Sequence, residues 1–137
     1  MKTLFLDDSK ERTKFFKQYF PNAKCVETAK ECIEKLSEED WDVVFLDHDL
    51  GGKVMVSESE LETGSEVVRW IKNNKPKVKA FILHSLNFPA RENMYKNLLD
   101  CGYKVKEIPF IQISIIFKKS ATFDLFVESL KDCYKNV

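Results

Sequence analysis

Six side chains suited to holding a metal, gripping a phosphate or moving a proton stand directly after short apolar runs in this chain. Asp7 and Asp8 follow Thr3-Leu4-Phe5-Leu6. Asp47, His48 and Asp49 follow Trp41-Asp42-Val43-Val44-Phe45-Leu46. His84, with Ser85 behind it, follows residues 79–83. His48 and His84 are the only two histidines present. Imidazole is the side chain best suited to exchange protons near neutral pH. One histidine at such a place would read as a packing residue beside a loop; two, each ending an apolar run, point to a working pair. The carboxylates also have two readings. Asp8 or Ser9 can cap the helix that follows. Several carboxylates drawn together, however, repel one another, and a divalent cation is the usual remedy, with oxygen ligands suiting Mg2+ or Ca2+. Asp7, Asp8, Asp47 and Asp49 are therefore candidate metal ligands. No HxH or HxxxH spacing supports a histidine-bound transition metal.

The elements that must position these residues alternate along the chain. Strands are expected over 3–6, 23–26, 41–46, 79–83 and 103–108. The run at 41–46 is continuously apolar apart from Asp42, as suits a strand covered on both faces. Between the strands lie helical patterns. Ser9 can cap the first, which buries Phe15, Phe16, Tyr19 and Phe20 and is broken by Pro21-Asn22. Thr28-Ala29-Lys30-Glu31 and Thr63-Gly64-Ser65-Glu66 have the form of capping boxes. Asn87 can cap a fourth helix closed by Gly102. Strands alternating with helices imply an α/β domain with a parallel sheet covered on both faces. Ligands in such sheets bind beyond the carboxyl ends of the strands. In the common 2-1-3-4-5 order, strands one, three and four are neighbours roughly 5 Å apart, so the six residues should share one pocket. Residues 110–117 alternate loosely through Ile111, Ile113, Ile115 and Phe117 and are expected as an extra edge strand. A last helix is expected over 122–134.

Composition narrows the classes. The 137 residues suit one domain spanning 1–137. Lys plus Arg equals Asp plus Glu, 22 each, so nothing in the charge balance points to duplex DNA. The local runs of Lys72, Lys75, Lys77 and Lys79 and of Glu58, Glu60 and Glu62 read as solvated faces. Leu4-Phe5-Leu6 is too short for a signal-peptide core, and no stretch approaches the roughly 20 apolar residues of a membrane span. A cytoplasmic location and no membrane partner are expected. Cys25, Cys32, Cys101 and Cys133 form no CxxC pair and read as free thiols.

Asp7-Asp8, Asp47 and Gly64 resemble the pattern of response-regulator receiver domains. That resemblance implies a flavodoxin-like three-layer fold, an Mg2+ held by the acidic pair and the aspartate after strand three, and a phosphoryl group accepted by that aspartate. Asp47 matches the acceptor position and Ser85 roughly the hydroxyl position. The chain departs from the pattern in lacking a lysine before Pro109, where it has Glu107-Ile108, and in its long loop after Asp47. The resemblance is closer to a divergent group, the cyclic-phosphate-processing receiver-like domains. It is carried by Leu4-Phe5-Leu6-Asp7-Asp8, Leu46-Asp47-His48-Asp49-Leu50-Gly51-Gly52, Thr63-Gly64, His84-Ser85-Leu86-Asn87 and Ile108-Pro109-Phe110. It spans about residues 1–110 and leaves 111–137 unmatched.

The family implies the handling of cyclic phosphates, of nucleotides or of RNA ends. A phosphoesterase of that kind needs one group to activate water and another to protonate the leaving sugar oxygen; His48 and His84 are the candidates, with Asp47 beside them. The aspartates would orient the histidines or hold Mg2+ against the phosphate. Ser85, Asn87 at a helix start, Lys53 and Arg91 are candidate phosphate contacts. The expected partner is a cyclic nucleotide or an RNA with a cyclic phosphate end. A pocket that binds nucleotides or proteins without chemistry is one alternative. A phospho-accepting signalling receiver is the other, and the missing lysine counts against it.

Overall fold

The computed structural model describes residues 1–50, 55, 57 and 59–135, with the side chains of 133–135 excepted. The elements run β1 (Thr3–Leu6), α1 (Lys10–Tyr19), β2 (Lys24–Val26), α2 (Ala29–Glu38), β3 (Trp41–Leu46), α3 (Gly64–Asn74), β4 (Val78–Leu83), α4 (Phe88–Asp100), β5 (Val105–Glu107), α5 (Phe110–Lys118) and α6 (Ser120–Lys135). The five strands form one parallel sheet in the order β2-β1-β3-β4-β5, as the alternation of the sequence predicts. Among the described residues no helix is long and apolar enough to cross a membrane. Cys25, Cys32 and Cys101 are free thiols; the side chain of Cys133 lies outside the described residues.

Strand side chains alternate between faces, and the two cores follow that parity. Leu4, Leu6, Val44, Leu46, Phe81 and Leu83 pack with Cys32 and Leu36 of α2, Val67 and Ile71 of α3, and Met94 and Leu98 of α4. Phe5, Val43, Phe45 and Ile82 pack on the opposite face with Phe16 of α1, Ile113 and Phe117 of α5, and Phe126 and Leu130 of α6. The second core is largely aromatic: Phe5 stacks on Phe16 with centroids 4.1 Å apart, and Phe16 meets Phe45 edge-on at 4.8 Å.

The helix starts expected from sequence are in place. Ser9, Thr28, Thr63 and Asn87 each accept a backbone N–H from the first turn. Neither box closes reciprocally on the backbone. The Thr28 hydroxyl donates to the Glu31 carboxylate, and Glu66 pairs with Arg69.

One expected element is corrected. Residues 110–117 are not an edge strand but nearly the whole of helix α5. The alternating apolar positions contain a helical stripe: Ile113 and Phe117, four apart, are buried on the aromatic core, whereas Ile111 and Ile115 are exposed. A strand here would have had to turn all four to one side. The core needed covering beyond α1, and a helix does so while satisfying its own backbone.

Candidate functional site

The register of the sheet builds the site. Phe5 pairs with Phe45, and Phe45 with Ile82, all on the aromatic face. Two residues further along each strand stand Asp7, Asp47 and His84, with the same parity. The ladder carries on beyond the strand ends, Asp47 N–H donating to Leu6 O and His84 N–H to Leu46 O. Possible ligand atoms of these three side chains all lie within 4.8 Å of one another, and all three residues are buried.

His84 Nε2 is 3.0 Å from Asp7 Oδ2. An ionised carboxylate only accepts, so Nε2 carries a proton toward Asp7. The ring lies flat on Phe5, centroids 4.9 Å apart, with Phe110 at the start of α5 edge-on to it at 5.9 Å. Phe110 N–H donates to His84 O. Nδ1 of His84 is buried and has no hydrogen-bond partner among the described residues.

The sequence reading missed Arg12. It sits in the first turns of α1, and its guanidinium reaches back over the acidic ends of β1 and β3. Nε donates to Asp7 Oδ2 at 2.8 Å and Nη2 to Asp7 Oδ1 at 2.9 Å, a bidentate pair. Nη2 also lies 3.4 Å from Asp47 Oδ2 and 3.9 Å from Asp8 Oδ1. The only sequence signal was a cation four residues after Asp8 on an expected helix.

The two buried carboxyls are driven apart. Burial alone would raise Asp7, but hydrogen bonds from His84 and Arg12 outweigh it and bring its pKa down to about 2. Asp47 is lifted to about 6, chiefly by burial; Asp7 adds to the rise, while His84 and Arg12 oppose it. Asp7 in turn raises Arg12.

The six residues do not form one pocket. His48 lies one residue beyond Asp47, so its parity is that of Leu46, and its side chain joins a different cluster. His48 Nδ1 is 2.9 Å from Asp49 Oδ1, which also accepts from Asn87 Nδ2 at 3.1 Å. His48 Nδ1 also lies 3.3 Å from Asn87 Nδ2, and Nε2 is buried with no hydrogen-bond partner among the described residues. The other Asp49 oxygen accepts from Met55 N–H at 2.7 Å. Asp49 is thus a partner of His48 rather than of the Asp7–Asp47 cluster. Asp8 stands at the cluster's exposed edge.

The remaining expected contacts are turned inward. The Ser85 hydroxyl accepts from Asn87 N–H, and Asn87 Oδ1 from Ala90 N–H. Arg91 donates Nη1 to Ser85 O at 2.8 Å and Nε to Glu107 at 3.2 Å, and is almost wholly buried. Lys53 lies outside the described residues. Gly64 joins the clusters structurally: a Cβ there would fall 1.8 Å from the carbonyl oxygen of Asp47, and Gly64 N–H donates to His48 O. Only glycine lets α3 begin this close to the end of β3.

The residues do not fit a bare Mg2+ in this arrangement. Asp7 Oδ1 already accepts from Ser9 N–H and Arg12, and Oδ2 from Arg12 and His84. Both oxygens of Asp7, the central acid of the cluster, are thus already engaged by donors.

A parallel 2-1-3-4-5 sheet with buried aspartates after β1 and β3 defines a receiver-type domain. The chain belongs to a particular branch of that class: the family described as "Cyclic-phosphate processing Receiver domain" matches residues 2–100. Solved structures share the fold at low identity. The signal receiver domain of a putative Luxo repressor protein from Vibrio parahaemolyticus is 19% identical with a TM-score of 0.60, over 96% of this chain and 94% of that one. The response regulator TrrA from Thermotoga maritima, solved with Mg2+ and BeF, is 21% identical with a TM-score of 0.59, over 97% and 99%. The N-terminal domain of an uncharacterized protein from Wolinella succinogenes is 14% identical with a TM-score of 0.61, over 96% and 98%. No curated protein matches this sequence.

Proposed function

We propose that this domain hydrolyses a cyclic phosphate, of a nucleotide or an RNA end, at the carboxyl ends of β1, β3 and β4. The observation that carries this reading is the Asp7 carboxylate, gripped on one side by His84 Nε2 and on the other by Arg12. It joins a fixed imidazole, a fixed guanidinium and the neighbouring Asp47 in one cluster.

Water adds to phosphorus, the bond from phosphorus to one sugar oxygen breaks, and that oxygen leaves with a proton. Arg12 is the phosphate contact: its side chain is about one-third exposed, and it meets Asp7 through Nε and Nη2. Asp47, with a pKa near 6, exchanges a proton in the neutral range. His84, its tautomer set by Asp7, is the second proton-transfer group. Between them, one takes the proton of the attacking water and the other supplies the leaving oxygen. Asp7 stays ionised and stabilises the imidazolium when it forms. His48, expected from sequence as the partner of His84, has a supporting place in this scheme: with Asp49 it holds Asn87, which starts α4. No step is routed through a metal; Mg2+ stays an expectation of the fold family.

A second reading, binding without turnover, is favoured by one observation: one ring nitrogen of each histidine is enclosed, with no hydrogen-bond partner among the described residues. One experiment separates the two. The chain is incubated with cyclic mononucleotides, cyclic dinucleotides and RNA bearing a 2′,3′-cyclic end, with and without divalent ions, and products are followed by 31P NMR. Opening of one class of cyclic phosphate, lost in Arg12→Ala, supports hydrolysis. Saturable binding of the same ligand without product supports the binding reading and overturns the catalytic one.

A further inference from the structure

We propose that Arg12 is a built-in cation that takes the place of a divalent ion among Asp7, Asp8 and Asp47, so that this carboxylate cluster is held together without metal. The inference does not depend on the chemistry proposed above. It rests on where the guanidinium lies and on what it leaves of the oxygens.

The guanidinium faces three carboxylates at once: 2.8 and 2.9 Å from the two oxygens of Asp7, 3.4 Å from Asp47 and 3.9 Å from Asp8. That is the job of a divalent ion in a ring of acids, done by one delocalised charge with directed donors. The ion would need oxygen lone pairs at about 2.0–2.1 Å in a near-octahedral shell. Asp7 has none to give, because each of its oxygens accepts two hydrogen bonds. His84 cannot stand in as a ligand through the nitrogen that faces the cluster, because Nε2 carries the proton donated to Asp7. Asp47 accepts one hydrogen bond on each oxygen, from His48 N–H at Oδ1 and from Arg12 at Oδ2.

The cation is also tethered. Arg12 N–H donates to the capping hydroxyl of Ser9, and Ser9 N–H donates to Asp7 Oδ1, so the helix start and the acid it serves are one hydrogen-bonded unit. The guanidinium further lies over Phe110, 5.8 Å from the ring centroid. A guanidinium does not lose its proton in proteins, so this compensation persists across the whole pH range in which the carboxylates are ionised. An incoming ion must first displace it, whereas an acid cluster without such a side chain meets the ion directly.

The test is a titration of the full-length chain with Mn2+, read by the loss of the free-ion EPR signal, and with Mg2+, read by calorimetry. The wild type is expected to show no saturable site. Arg12→Ala is expected to acquire one, with affinity raised at least about tenfold, equivalent to about 1.4 kcal/mol, and to lose it again when Asp47→Asn is added. Arg12→Lys, which keeps a positive charge at the same place, is expected to stay metal-blind, and Arg12→Gln gives the neutral comparison should the alanine variant not fold. A saturable site in the wild type that depends on Asp47 would overturn the proposal, as would a folded neutral variant that still takes up no metal.

Discussion

The two histidines of this domain are the same chemical device used in opposite orientations. Each is held by a carboxylate, His84 through Nε2 to Asp7 and His48 through Nδ1 to Asp49, and each leaves its other nitrogen enclosed. Their surroundings differ. Asp7 joins β1 to β4 across a sequence separation of 77 residues and shares its charge with Arg12, Asp47 and the solvent edge. Asp49 is the neighbour of His48 in sequence and joins the end of β3 to the cap of α4. The first cluster gathers opposite charges and spreads the pKa values of two carboxyls; the second fixes a loop and a helix start. Perturbed ionisable groups are a mark of functional sites, though structural ion pairs also produce them. A single dyad motif therefore does not identify a catalytic residue; what else touches the carboxylate does.

The largest effect is expected from breaking that asymmetry in the chemistry. His84→Gln keeps a donor toward Asp7 but cannot shuttle a proton. Turnover of a cyclic-phosphate substrate should fall by about 10²–10⁴-fold, the usual size of an acid–base contribution. His48→Gln should cost far less. Both variants are compared by initial rates after circular dichroism confirms the fold; equal losses would dissolve the distinction between the clusters.

Next comes the charge carried by the Asp7–Asp47 cluster alone. A carboxyl whose folded pKa lies above its unfolded value contributes stability while it is protonated, and that contribution is lost as pH rises through the folded value. Asp47 moves from 3.8 to about 6, so the wild type should lose about 2 kcal/mol between pH 4 and pH 7 from this group. Asp7 works in the other direction and lower down: its stabilising contribution is complete above 3.8 and fades as pH falls through about 2. The two windows do not overlap. Asp47→Asn should therefore flatten the upper window and be the more stable protein at pH 7, as read by urea unfolding at both pH values. A variant less stable than wild type at pH 7 would mean that the pairing with Arg12 outweighs burial.

The smallest effect belongs to the second cluster. Asn87→Ala removes the cap of α4 and one donor to Asp49, and should cost about 1 kcal/mol. Its measurable sign is faster amide exchange confined to the first turn of α4, with the Asp7 cluster unmoved. A change in the pH dependence assigned to Asp47 would show that the clusters are coupled.

Much of this was legible in the chain itself. Apolar runs between helical patterns determined five strands and a parallel sheet. Polar residues placed directly after β1, β3 and β4 determined where the site lies, because carboxyl ends of parallel strands are the open ends of the sheet. The caps at Ser9, Thr28, Thr63 and Asn87 were readable because they act within one turn. Even the separation of His48 from His84 was implicit: side chains alternate, Asp47 has the parity of Phe45 and His48 that of Leu46. Reading the strand-end residues as one pocket overlooked that period of two.

Tertiary structure decided the rest. Residues 110–117 satisfy a loose alternation and a helical stripe at once, and the exposed flank of the aromatic core selected the helix, burying Ile113 and Phe117. Arg12 looked like any surface cation of an amphipathic helix; only the packing of α1 on Phe5 and Phe45 swings it over three carboxylates. Local sequence determines what a segment can form, through hydrogen bonds and periodicity within a few residues. Which distant charges meet depends on register and packing, which bring residues 7, 12, 47 and 84 within bonding distance only once the whole sheet has closed.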